Sequence, residues 1–220
     1  MSRIEKEIYR HRFGGQAAAR NAMWKVLCKN YFQKFISSRS TVLEIAAGHC
    51  EFINNIRAKR KIAVDINEDT KLHANADVEV HLSLSTDLSM IDNDSIDNIF
   101  ISNFFEHIPR EEILKTLQEC HRCLRAGGKV LILQPNIRFI QKDYWMFYDH
   151  ITPVDDRALK EVLELCGFEI RFLLPRFLPY TTQSRLPQST ALIKIYLRLP
   201  ILFKIFGGQA FVVARKIAQV

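Results

Sequence analysis

Apolar residues recur along this chain with two different periods. Short, almost continuous apolar runs predict buried strands at Thr41–Ile45, Lys61–Asp65, Ile96–Ile101 and Lys129–Leu133. The alternation Val78-Glu79-Val80-His81-Leu82 predicts another, and Phe168–Leu174 and Ala210–Arg215 read the same way. Between them the spacing becomes helical: Glu51–Arg57, a polar stretch Glu68–Ala76, and Arg110–Arg125 with Ile113, Leu114, Leu117, Cys120 and Leu124 on one stripe. Gly127-Gly128 is expected to stop that helix. A further helix opens at Thr152-Pro153-Val154-Asp155 with Thr152 as N-cap, carries Leu159, Val162, Leu163 and Cys166, and ends at Gly167. Residues 3–37 predict two helices, the second with Ala18, Ala22, Val26, Leu27, Tyr31 and Phe35 at helical spacing.

The stretch from Thr41 to Asn67 organises the rest. An apolar strand carries the acid Glu44 near its end, small residues Ala46-Ala47-Gly48 follow, then a helix, then a second strand ending in Asp65, 21 residues after Glu44. This is the layout of a nucleotide-binding βαβ unit, in which a carboxylate at the second strand's tip accepts hydrogen bonds from a ribose diol. A dinucleotide site needs glycine-rich turns beside a pyrophosphate. Here only Gly48 is glycine, and Glu44 would repel the pyrophosphate, whereas a cofactor with a cationic ammonium and sulfonium would be attracted to it. The stretch resembles motif I of class I S-adenosylmethionine-dependent methyltransferases, departing from it at Ala46 and Cys50, both usually glycine. Cys50 is expected to place a side chain beside the cofactor. A strand-turn-helix without a ligand is the alternative reading of this stretch.

Later residues extend the resemblance. Asp87, followed by Leu88, stands where the family hydrogen-bonds the adenine amino group, and an ionised Asp is an acceptor for that donor. Ser102-Asn103 leave the Ile96–Ile101 strand and are followed by Glu106-His107-Ile108-Pro109, which looks like motif IV of a subgroup with a Glu-His or His-His pair. The resemblance places Ser102 and Asn103 against the methionine part of the cofactor and His107 near the transferred methyl. Arg122-Cys123-Leu124-Arg125-Ala126-Gly127-Gly128 resembles the family's R-x-L-K-P-G-G, and Gln134-Pro135-Asn136 leaves the following strand on the edge where open α/β sheets bind ligands. The amino-methyltransferase signature (Asp or Asn)-Pro-Pro-(Tyr or Phe) is absent. Residues 137–150 are rich in aromatics, among them Tyr144, and close on Asp149-His150, where a histidine in the resembling subgroup faces the substrate.

Composition narrows this picture only modestly. The 220 residues suffice for one α/β domain, and 48% hydrophobic with 25% charged residues is ordinary for a globular protein. Five cysteines without metal-ligand spacing read as reduced thiols, and Cys120 and Cys123, inside an apparent helix, as core thiols of a cytoplasmic protein. The first residues lack the apolar core of a signal peptide, and no uncharged run is long enough to span a bilayer. A net charge of +7 is compatible with nucleic acid, an anionic membrane, a phosphorylated substrate or simply a solvated basic face. Thr190–Phe206 is strongly apolar, with Lys194, Arg198 and Lys204 within one third of a helical wheel and Pro200 expected to split it. It reads as a helical flap packed on the domain or as an interfacial helix, and both hold if the substrate is lipid-linked.

The expected fold is thus a Rossmann-like three-layer α/β sandwich, with a seven-stranded, mostly parallel sheet whose last strand is antiparallel. One domain covers 1–220: a helical lid (1–37), the cofactor core (41–174), an apolar and basic helical insertion (175–209) and the final strand (210–216). The resemblance, closest to the type 11 and type 23 methyltransferases and to bacterial members found with polysaccharide and glycolipid biosynthesis, implies S-adenosylmethionine held by Glu44, Ala46, Gly48, Asp65, Ile66, Asp87, Leu88, Ser102 and Asn103. It implies His107 or His150 as base, with Tyr9, Arg12, Phe13, Asn136, Tyr144 and Asp149 toward the substrate, and no metal, since no acidic cluster points to one. The implied reaction is methyl transfer to an oxygen, or as the lesser alternative a nitrogen, of a small-molecule, glycan or lipid-linked sugar acceptor, in the cytoplasm or at the inner membrane face. Nucleic acid is disfavoured because aromatics interleaved with Lys and Arg are not evident. An RNA-modifying enzyme, a nucleotide-cofactor oxidoreductase and a non-catalytic relative are the rivals.

Overall fold

The computed structural model describes residues 17–180 and 189–217. Seven strands form one sheet: β1 (Thr41–Ile45), β2 (Arg60–Asp65), β3 (Val78–Leu82), β4 (Ile96–Ser102), β5 (Leu124–Pro135), β6 (Phe168–Leu174) and β7 (Gln209–Lys216). Their order across the sheet is β3-β2-β1-β4-β5-β7-β6. The first five are mutually parallel, and β7 runs antiparallel to both β5 and β6. The chain runs outward from β1 through β2 to β3, then crosses back to lay β4 on the other side of β1. That reversal opens a crevice at the carboxyl ends of β1 and β4.

The strands are apolar on both faces because helices cover both. Alternate side chains separate into two cores. Val42, Phe100, Leu131, Leu133, Phe211 and Val213 pack under α1 (Ala17–Asn30) and α2 (Glu51–Asn55), and Leu43, Ile45, Ile99, Ile101, Val130, Ile132 and Val212 pack on the opposite face. That second face is covered by α4 (Arg110–Cys123) and α6 (Asp156–Leu165) through Ile113, Leu117, Leu159 and Leu163. Phe52 stacks on Phe100 at 3.6 Å between ring centroids, and Tyr31 on Phe177 at 4.2 Å. All five cysteines are free thiols, with Cys120 and Cys123 fully buried.

Several boundaries differ from the sequence expectation, each for a local reason. The helix over 51–57 stops at Asn55, where Ile56 turns to extended backbone. The polar stretch 68–76 forms only one turn, α3 (Thr70–His73), because Asn54 competes for its end: Asn54 Nδ2 donates to His73 O at 2.8 Å, and Asn54 Oδ1 accepts Asn75 N at 2.9 Å. Gly127-Gly128 does not stop α4, which ends at Cys123. The pair lies inside β5, where Gly127 has φ +75° and a Cβ on Gly128 would meet Arg125 O at 2.9 Å. Thr152 is not the N-cap of α6. Its Oγ1 donates to Ile108 O at 2.6 Å, while Asp155 Oδ1 accepts Arg157 N and Ala158 N at 2.8 and 2.9 Å.

α5 (Ile137–Ile140) follows β5, and α7 (Thr190–Arg198) and α8 (Pro200–Phe206) are divided at Pro200 as expected. Their inner residues Leu197 and Phe203 are buried beside α1.

Candidate active site

The chain leaves β1 through a turn in which Ala46, Gly48 and Cys50 all adopt left-handed backbone, with φ of 55°, 51° and 58°. These are the three positions at which the resembled motif carries glycine. A β-carbon in this conformation costs roughly 1–2 kcal/mol, so Ala46 and Cys50 hold the turn under strain that its surroundings maintain. Replacing Ala46 with glycine is expected to raise stability by about 0.5 kcal/mol, the relief of left-handed strain less the larger unfolded-state entropy of glycine. Urea unfolding would read the change, and a lower midpoint would show that Ala46 is unstrained. Cys50 is packed into the core under the turn. Its side chain is fully buried, with Sγ donating to Thr70 O at 3.8 Å.

Beneath this turn lies a set of carboxylates. Glu44 is 4% exposed, and its Oε2 accepts Ile53 N at 3.0 Å. Burial pushes its carboxyl well above the usual range, and the like charges of Glu51 and Asp65 push the same way. Asp65, half-buried at the tip of β2, accepts Gly48 N on Oδ2 at 2.7 Å and Asn67 N on Oδ1 at 2.8 Å. Burial raises it too, against the opposing pull of those backbone donors. The Ile66 N–H is a third backbone donor to this carboxylate, which leaves about one of its four lone-pair sites for a ribose hydroxyl. Ile66 beside it is 42% exposed and offers apolar surface. A turn underlain by acids repels a pyrophosphate and suits a cation.

Across the crevice, β4 ends in half-buried Ser102 and exposed Asn103. Asn103 is again left-handed (φ 48°), with its N–H donating to Leu133 O at 2.9 Å. The 3₁₀ turn Phe105–His107 follows. His107 Nδ1 lies 3.1 Å from Asp149 O, a carbonyl that can only accept, so Nδ1 carries the proton and Nε2 is the basic nitrogen. Asp149 Oδ2 is 3.4 Å from the same Nδ1, and Nε2 lies 3.8 Å from Glu106 Oε1. Glu106 is 1% exposed, accepts Gln134 Nε2 at 2.8 Å, and is raised by its burial. Its carbonyl accepts Ile151 N and Thr152 N, at 2.8 and 3.1 Å, which draws the 149–152 segment against the 3₁₀ turn.

The result is a pair of histidines. His150, 7% exposed, sits with its ring 4.9 Å from that of His107 and nearly perpendicular to it, flanked by Tyr144 at 5.0 Å and Phe147 at 5.3 Å. No metal was expected from sequence for want of an acidic cluster. The fold nonetheless brings ligand atoms of Glu106, His107 and His150 within 4.8 Å of one another, a donor set of the kind divalent ions accept.

Other expected residues are placed differently. Asn136 is fully buried. Its Nδ2 donates to Asp156 Oδ1 at 2.7 Å and to Pro175 O at 3.0 Å, and its Oδ1 accepts Arg138 N at 3.2 Å, so it builds the loop after β5 and does not line a substrate surface. Tyr144 is likewise fully buried, its hydroxyl donating to Thr152 O and accepting Val154 N. Leu88 is fully buried with both backbone groups engaged: its N–H donates to Glu119 Oε2 at 2.9 Å and its carbonyl accepts Arg122 Nη2 at 2.7 Å. Asp87 beside it is exposed and accepts Ser89 N at 3.1 Å. Tyr9, Arg12 and Phe13 lie outside the described residues. Glu119 was not singled out from sequence, whereas Glu106 was marked only by the Glu-His pairing at 106–107 and Gln134 only by its place in Gln134-Pro135-Asn136 at the end of β5.

The comparisons agree with the fold. Residues 17–172 match the family described as methyltransferase domain. No curated protein matches the chain in sequence. Among solved structures, a SAM-dependent methyltransferase from Archaeoglobus fulgidus shares 23% identity over 87% of this chain and 92% of its own, with a TM-score of 0.63. A putative methyltransferase in complex with the Haloferax volcanii Trm112 methyltransferase activator shares 16% over 96% and 98%, at 0.67. A possible histamine N-methyltransferase from Thermotoga maritima shares 16% over 94% and 98%, at 0.66. With the family match spanning most of its length, the chain belongs to the methyltransferase domain family and is a methyltransferase.

Proposed function

We propose that the protein transfers the methyl group of S-adenosylmethionine to a hydroxyl oxygen of a small-molecule or glycan acceptor, free or lipid-linked. The observation that carries the oxygen assignment is the tethering of His107 Nδ1 to the Asp149 carbonyl at 3.1 Å, which leaves Nε2 as a proton acceptor on the carboxyl edge of the sheet. An amine that reaches the site uncharged attacks without prior help, whereas a hydroxyl must lose its proton as the new bond forms.

S-adenosylmethionine supplies an already activated methyl on sulfur, so the protein's share is positioning and proton handling. Ala46, Gly48, Ser102 and Asn103 form the walls of the crevice that would hold it. Asp65 would accept from a ribose hydroxyl, and Ile66 would cover an adenine face. Glu44 balances positive charge from beneath the turn. His107 Nε2 receives the acceptor's proton, and Glu106, 3.8 Å away, and Asp149 stabilise the imidazolium that results.

Labelled-methyl transfer tests the reading. Purified protein given S-adenosylmethionine and, in separate reactions, sugar glycosides, a glycolipid extract, RNA and small amines should place label in the first two as base-stable ethers. Label confined to RNA or to amines would overturn the oxygen assignment.

A further inference from the structure

We infer that α7 and α8 form a docking surface for an anionic lipid bilayer. The two helices turn Leu197 and Phe203 inward, but leave Leu192, Ile195, Leu199, Ile201, Ile205 and Phe206 between 45% and 59% exposed. Six large apolar side chains on seventeen consecutive residues are far more than the scattered exposed leucines of an ordinary surface. Lys194, Arg198 and Lys204 are exposed on the same two helices. The two helices themselves contain no acid, and the 51 residues after Glu169 carry eight Lys or Arg and no Asp or Glu. Apolar side chains interleaved with cations are what a headgroup–acyl boundary with negative lipids accommodates.

The alternatives fit less well. A second copy packed face to face across a twofold axis would set an all-basic strip against itself. A membrane-spanning role is excluded for the described helices, none of which is long and apolar enough to cross a bilayer.

Hydrogen bonds tie the base of the surface to the sheet edge, and that base adjoins the site. Phe177 N donates to Gln209 O at 2.7 Å and Gly208 N to Leu178 O at 2.8 Å, closing the segment at its neck, while Asn136 N donates to Gly208 O at 2.9 Å. Arg176 caps α8, with Nε on Gly207 O at 2.8 Å and Nη2 on Ile205 O at 2.9 Å. Tyr180, at the neck, has its ring 5.9 Å from Phe147 and 6.4 Å from His150. A lipid-linked acceptor would therefore meet the histidine pair near the bilayer surface. That extension rests on the proposed methyl transfer; the docking itself does not.

Vesicle flotation of the full chain tests it, using phosphatidylcholine vesicles with and without phosphatidylglycerol. Binding is expected only with phosphatidylglycerol, and it should weaken as salt rises. The K194Q/R198Q/K204Q variant should lose about a hundredfold in vesicle affinity, and Ile201→Ser with Ile205→Ser should lose binding as well. Both variants should keep the wild-type melting temperature and S-adenosylhomocysteine affinity, so failure to dock and failure of the methyl-donor reading register separately. Absence of binding to anionic vesicles, undiminished binding by the variants, or a dimer in analytical ultracentrifugation that the variants dissolve would overturn the proposal.

Discussion

A His107→Asn variant should bind S-adenosylhomocysteine as the parent does, yet transfer methyl about 10²–10⁴-fold more slowly, the range that loss of a positioned base produces. The separation follows from where the residue sits. His107 stands on the turn beyond Asn103, tied to the Asp149 backbone, whereas the acids under the Ala46–Cys50 turn belong to other elements. Asparagine can still donate to the Asp149 carbonyl, so the 149–152 segment keeps its attachment while the proton acceptor is gone. Added imidazole should restore part of the lost rate, a recovery that a purely architectural histidine would not show. A variant with the parental rate would shift the base assignment to His150, whose ring lies 4.9 Å away.

Replacing Glu44 with glutamine should have two opposed effects. Donor affinity should fall at least about tenfold, the equivalent of 1.4 kcal/mol of lost charge interaction. Stability of the ligand-free protein at pH 8 should rise by on the order of 1 kcal/mol, because an amide oxygen can still accept the Ile53 N–H without a buried negative charge. The direction with pH follows from the raised carboxyl of Glu44. A carboxyl raised in the folded state favours folding fully below its unfolded value near 4.5, and that contribution is lost as pH climbs through the folded value. The glutamine variant's advantage should therefore be greatest in alkali and fade toward pH 4.5. Denaturant unfolding across this range, paired with calorimetric titration of the donor, measures both. Unchanged donor affinity would remove Glu44 from the electrostatic account and leave it as a brace for α2.

Much of this architecture is written in local signals. Apolar runs and their spacing marked every strand, and the order of the motifs gave the sheet's parallel body with its antiparallel partner. The acids at the ends of β1 and β2 and the Glu-His pair after β4 were also visible as short patterns. What could not be read were side-chain commitments made by distant parts of the chain. Asn136 stood in the right place for a ligand contact, but its hydrogen bonds go to Asp156 and Pro175, which only the folded chain brings near. Tyr144 looked like one more pocket aromatic until the Thr152 carbonyl claimed its hydroxyl. The same holds for Cys50, where residue type alone says nothing about which way a left-handed Cα points its side chain. The carboxylate–imidazole cluster escaped because Glu106 and His150 are joined through backbone hydrogen bonds at 151 and 152, which no spacing rule encodes.

The position of β7 bears on how the polypeptide is made. β7 is inserted between β5 and β6 although it follows both in the chain. A nascent chain that has left the ribosome only as far as β6 offers that strand no neighbour to pair with, and β5 presents an open edge. Both bare edges persist until Gln209–Lys216 emerges, an interval in which chaperones or the wrong strand can compete for them.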